Sequence, residues 1–152
     1  MNETYSQGLD AALVDEKKEE KVVDITSTPK MKRKPFINWQ VDGKDYRLKL
    51  TSSMICKLEQ KYDKNLLLLI TEEGIPPISV MLTVIQAAMQ VYEHGITFVK
   101  VQDIYDRYID EGGDQNKLMS DVIMPLLGVS GFFTESQMEV LTSEMKDMEN
   151  DL

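Results

Sequence analysis

The dipeptide Asp42-Gly43 stands between two stretches of alternating polarity, Phe36-Ile37-Asn38-Trp39-Gln40-Val41 and Lys44-Asp45-Tyr46-Arg47-Leu48-Lys49-Leu50. Aspartate followed by glycine favours a two-residue type I′ turn, because both central residues must take positive φ. Counting outward from that turn pairs Val41 with Lys44, Trp39 with Tyr46 and Ile37 with Leu48. The same register puts Ile37, Trp39, Val41, Tyr46, Leu48 and Leu50 on one face, and Asn38, Gln40, Asp45, Arg47 and Lys49 on the other. Turn chemistry and alternation thus predict one hairpin in one register.

After the hairpin the apolar spacing is helical. Thr51, Ser52 or Ser53 can cap a helix running to about Lys64, with Met54, Ile55, Leu58 and Tyr62 at helical spacing. Leu66 to Ile70 reads as a buried turn that breaks before Gly74. Pro76-Pro77 opens what is expected to be the longest helix, stopped by Gly95 and carrying Ile78, Met81, Leu82, Ile85, Ala88, Met89 and Tyr92. Thr97 caps the next, with Phe98, Val101, Tyr105, Tyr108 and Ile109 inward and Gly112-Gly113 at its end. Asp114 caps another, carrying Leu118, Val122, Ile123, Leu126 and Leu127, which Pro125 should bend or shorten. Thr134-Glu135-Ser136-Gln137 has the pattern of a capping box that opens a final helix.

A lone hairpin cannot bury its face, so it needs helices against it. The expected fold class is α+β, mostly α: an N-terminal β-hairpin packed on a bundle of about five or six helices. Residues 35–152 read as a single hairpin-plus-helices domain. Residues 1–34 read as a disordered acidic leader, with the mixed charge run Asp15 to Lys21 and the polar stretch Thr26-Ser27-Thr28-Pro29. Within it, Leu9 to Val14 could form a helical turn and Val22, Val23 and Ile25 a short strand. Met31 lies where the folded part begins, which leaves an internal start conceivable.

The net charge of −9 over 152 residues argues against a sequence-independent nucleic-acid binder, whose phosphate contacts need a basic face. Charge is unevenly spread: residues 31–50 carry two acids and six bases, residues 51–152 seventeen acids and seven bases. That asymmetry fits either a solvated surface or contacts steered by opposite charges. The longest apolar run, Leu66 to Ile70, is far too short to span a bilayer, so no membrane association is expected. A single cysteine, Cys56, excludes an internal disulfide and fits a reducing compartment, with the cytoplasm as expected location.

Residues suited to catalysis are sparse. His94 is the only histidine and precedes the helix-stopping Gly95, where its charge would complement a helix C-terminus. It has neither a triad nor a metal cluster around it. Cys56 follows the capping serines and is read as a half-buried structural thiol. Asp103, Asp106 and Asp110 share a helix face, which suits a solvated surface better than a cation site. Asp110 to Asn116 lacks the ligand spacing of a calcium loop, and no phosphate-binding, metalloprotease or nucleophile-elbow motif is present. We therefore expect no catalytic residue, no cofactor and no metal, and hence no enzyme.

Two surfaces suit protein binding instead. Met138, Leu141, Met145, Met148 and Leu152 recur at spacings of three and four on an otherwise acidic helix. Such a stripe can dock on its own core or lie in a partner's groove, where flexible methionines accommodate varied surfaces. The hairpin leaves two open strand edges, to be covered by the Val22–Ile25 segment or by another chain. Pairing between copies would give a ring or filament. Residues expected at contacts are Trp39, Tyr46 and Arg47 on the hairpin and Met138, Leu141, Met145 and Met148 on the last helix, all of which also suit a core role.

The stretch from Pro35 to Thr51 resembles the opening of tail assembly chaperones from phages and prophages of Gram-positive bacteria. So do Gly74-Ile75-Pro76-Pro77-Ile78-Ser79-Val80-Met81-Leu82, Tyr92-Glu93-His94-Gly95-Ile96, Tyr108-Ile109-Asp110-Glu111-Gly112-Gly113 and Val129-Ser130-Gly131-Phe132-Phe133. Together these cover residues 35–133 in order. The resemblance implies a protein that holds the aggregation-prone tape measure protein, helps recruit tail tube subunits around it, self-associates, and leaves before the virion is complete. In many relatives a programmed frameshift adds a C-terminal domain that engages the tube protein; a chain ending at Leu152 would be the short form. The leader before Met31 departs from the compact start of that family. The alternatives are a virion structural component, such as a connector or tail subunit, and a small regulatory binding protein.

Overall fold

The hairpin forms in the register counted from its turn. In the computed structural model, β1 (Ile37–Val41) and β2 (Lys44–Leu48) pair antiparallel, with Ile37 opposite Leu48, Trp39 opposite Tyr46 and Val41 opposite Lys44. Asp42 and Gly43 take φ of 53° and 73°, the left-handed pair a type I′ turn demands. Trp39, Val41, Tyr46, Leu48 and Leu50 are buried, while Asn38, Gln40, Asp45 and Arg47 are exposed. The structure describes residues 33–134, 136, 137, 139, 140 and 143. The leader up to residue 32, its Val22–Ile25 segment and the stripe Met138, Leu141, Met145, Met148 and Leu152 lie outside these residues. The chain divides into Met1–Arg33 and Lys34–Leu152, and the hairpin and helices all belong to the second unit.

Helix starts follow capping chemistry. Helix α1 (Ser52–Tyr62) is capped by Thr51, α2 (Leu66–Thr71) by Asn65 and α4 (Phe98–Asp110) by Thr97. In each the cap side chain accepts the amide three residues on, from Met54, Leu68 and Lys100 respectively. Each such bond satisfies an orphan amide and contributes about 1 kcal/mol. Between α2 and α4 lies α3 (Ile78–Met89), which begins after Pro76-Pro77 without a side-chain cap. Asp114 caps the last long helix, α5, which opens with Gln115–Leu118, by accepting the Lys117 amide at 2.8 Å.

Helix α3 is the centre of the core. Val80, Met81, Leu82, Val84, Ile85, Ala88 and Met89 are all buried. It stops at Met89, short of the Gly95 stop expected from sequence, and at 12 residues is shorter than the 13 of α4. Gln90 supplies the reason. Its Nε2 donates to the Ile96 carbonyl at 3.2 Å and its Oε1 accepts the Gly95 amide at 3.1 Å. Gln86 Nε2 reaches the same carbonyl at 3.1 Å, so two side chains close a turn where the helix would have continued.

Helix α4 is rotated from the expected stripe. Val101 and Ile104 are fully buried, Phe98, Tyr105 and Tyr108 lie at the core margin, and Ile109 is 40% exposed. Centring the face on positions 101, 104 and 108 moves Ile109 to solvent.

Helix α5 runs through Gln115–Leu118, a π-helical segment Met119–Ile123, and Met124–Val129. Pro125 neither shortens nor ends it. Proline has no amide to donate and its ring crowds the preceding turn, and the wider π turn just before it accommodates both. Leu118, Val122, Ile123, Leu126 and Leu127 are buried, as the spacing predicts. At the far end Gly131 takes φ of 95°, and the Phe132 amide donates to the Leu127 carbonyl at 3.1 Å, closing a Schellman motif. Thr134 and Gln137 then form the expected capping box, with reciprocal bonds of 2.9 and 3.1 Å. The fold is α+β and mostly α: two strands followed by five helices among the described residues.

Candidate binding surface

Two of the three hairpin residues expected at contacts lie inside. Trp39 is 3% exposed and Tyr46 5%. The Trp39 ring meets Tyr108 edge-on, with centroids 5.5 Å apart, and Tyr46 at 6.3 Å. Among the described residues its Nε1–H finds no hydrogen-bond acceptor. Both residues have the parity of the buried face, and α4 covers that face, so neither offers a surface to a partner.

Arg47 is outward and exposed. Its guanidinium lies 5.0 Å from the Phe36 ring centroid and 5.9 Å from that of Tyr92, and these rings meet edge-on at 5.6 Å. Cation–π attraction at such a site contributes about 0.5–1 kcal/mol and favours this placement of the planar group. Among the described residues no carboxylate pairs with the Arg47 fork, so its donors are open to one on a partner, which guanidinium binds in bidentate fashion.

Sequence reasoning missed the two rings. Phe36 carried a usable signal, because its parity puts an aromatic among Asn38, Gln40 and Arg47 on the polar face. Tyr92 carried none, since helical spacing places it on the core side of a helix that in fact ends at Met89. It is 37% exposed in the turn beyond.

The hairpin tip is tied to α4. The Asp42 amide donates to Glu111, and Arg107 pairs with Asp42 at 3.7 Å and Asp103 at 3.1 Å. These pairs are exposed and contribute little energy, about 0–1 kcal/mol, but they orient the turn. Asp103, Asp106 and Asp110 all face solvent. Burial, reinforced by Asp121, Asp114 and Tyr105, pushes the Tyr108 hydroxyl up to about 12. Burial also raises Tyr105, with Asp114 and Asp106 adding to it.

The remaining candidates are scattered. Cys56 is exposed rather than half-buried, because its position on α1 falls outside the Leu58 stripe. His94 is exposed in the turn after α3. Among the described residues no three His, Cys, Asp or Glu side chains come together as a metal group, and no helix is long and apolar enough to cross a membrane. A shallow apolar hollow of about 410 Å³ lies beside the capping box, lined by Phe133, Ser136, Gln137 and Val140.

These features define a small α+β protein whose described surface offers an arginine set against two aromatic rings. The chain belongs to the family of unknown function DUF6096, whose model matches residues 33–152. No curated protein and no solved structure matches it.

Proposed function

We propose that this protein works by binding rather than catalysis, as a tail assembly chaperone of a long-tailed bacteriophage. It holds the tape measure protein in the host cytoplasm, helps recruit tail tube subunits, acts as a homo-oligomer and is absent from the mature virion. The observation that carries the reading is the ordered series of five stretches resembling that family. They fall on the hairpin, the opening of α3, the turn after it, the end of α4 and the end of α5. A resemblance made of turns and caps is one made of fold-determining residues. Arg47 supports the binding reading separately, since it offers an aromatic-held guanidinium to an acidic side chain on a client.

Co-expression with the tape measure protein of the same genome, followed by size exclusion and pull-down, tests this. A soluble complex is expected, with the tape measure protein insoluble when made alone and Arg47→Ala weakening capture. Failure to bind or solubilise it, or detection of the chain in purified virions, would overturn the reading.

A further inference from the structure

The hairpin's two edges are not equivalent. In a two-residue hairpin Val41 and Lys44 form the hydrogen-bonded pair next to the turn, so the amides and carbonyls of Asn38 and Gln40 point away from β2. The bond just past β2 agrees with this alternation: the Lys49 amide points outward and donates to the Ala88 carbonyl at 3.1 Å. The last turn of α3 and the segment after it flank β2, through the Ala88 carbonyl on the Lys49 amide and through Tyr92 and Glu93, which meet the side chains of Arg47 and of Lys44, the latter at 3.6 Å. Along β1 no described residue bonds the outward backbone groups of Asn38 and Gln40, and both residues are exposed.

The uncovered edge is also the unguarded one. Natural edge strands are usually protected by charges, proline or a bulge. β2 carries Lys44, Asp45 and Arg47, whereas Phe36 to Val41 contains no charge and no proline. Such an edge matches itself: antiparallel pairing about Trp39 sets Asn38 opposite Gln40 in both directions, with side-chain amides able to exchange hydrogen bonds and no like charges in contact.

We propose that the outer edge of β1 pairs antiparallel with the same edge of a second copy, joining two hairpins into a four-stranded sheet about a two-fold axis. This deepens the homo-oligomer part of the proposed function, yet it needs no client, so its failure and the failure of tape measure binding are separate results. The pairing is short and opposed by the net charge of −9 on each copy, so it strengthens with salt as that repulsion is screened.

Sedimentation equilibrium and residue-level amide exchange on the full chain test it. We expect a monomer–dimer equilibrium, tighter at higher salt, with Asn38 and Gln40 amide protection rising with protein concentration. The double variant Asn38→Lys and Gln40→Lys should weaken association about tenfold or more while leaving circular dichroism unchanged. A monomer at every concentration, or a dimer indifferent to those lysines, would overturn the proposal. So would concentration-independent protection that is lost when Val22, Val23 and Ile25 are replaced by serine, since the leader of the same chain would then cover the edge.

Discussion

Gly113 lies flat against the ring of Tyr108, so close that a methyl group on it would stand 2.4–2.6 Å from three ring carbons. The contact follows from how α4 ends. Gly112 takes φ of 100°, its amide donates to the Ile109 carbonyl at 3.0 Å, and the Gly113 amide donates to the Tyr108 carbonyl at 2.9 Å. This Schellman motif folds the chain back over the last turn of the helix. Tyr108 in turn meets Trp39, so the end of α4 is coupled to the hairpin by packing.

Gly113→Ala should therefore cost about 2–3 kcal/mol, the range for overpacking a tight contact. Urea denaturation should show a lower midpoint at unchanged slope. In a Tyr108→Ala background the same change should cost far less, because the clashing ring is gone.

At the end of α1, Asp63 sits in the left-handed region, with φ of 51° and ψ of 45°. The Lys64 amide donates to the Glu59 carbonyl at 3.3 Å across that turn. Aspartate tolerates this conformation, but glycine occupies it without steric cost. Asp63→Gly should raise stability by about 0.5–1 kcal/mol, and Asp63→Ala should lower it, both read from thermal unfolding.

Trp39 is the chain's single tryptophan and is buried, so its emission should be blue-shifted and poorly quenched by acrylamide. Trp39→Ala should cost about 3–5 kcal/mol. Arg47→Ala should change stability by less than about 1 kcal/mol, since the loss is confined to an exposed cation–π cluster. A binding defect in the Arg47 variant at near wild-type stability reports on contact, whereas one in the Trp39 variant reports on folding.

The raised Tyr108 pKa makes stability depend on alkaline pH. Folding favours the neutral phenol, so the folded chain holds a proton that the unfolded chain releases above its ordinary value near 10. The contribution is intact below pH 10 and falls away as pH rises through about 12. After discounting for solvent at this half-buried site, the loss is on the order of 1 kcal/mol. Unfolding measured between about pH 9 and 12 should show that decline, weakened in Tyr108→Phe, and tyrosinate absorbance should show a late-titrating group.

What the sequence determined by itself is local. The Asp42-Gly43 turn, the hairpin register, the caps at Thr51, Thr97 and Asp114 and the Thr134–Gln137 box each depend on backbone sterics and hydrogen bonds within a few residues. Their geometry is set locally, although the hairpin still needs the helices that cover its buried face. The helical spacing also identified the buried side of α5, because five apolar residues there leave only one side to bury. Only the tertiary structure decided the rest. Whether Ile104 or Ile109 turned inward depended on where α3 lay. The end of α3 depended on Gln86 and Gln90 reaching Ile96 across a turn. The Arg47 cluster joins Phe36, before the hairpin, to Tyr92, beyond α3, and no local pattern encodes a contact over that separation. Packing chose among helix rotations that were close in local energy, and in doing so set which side chains face solvent.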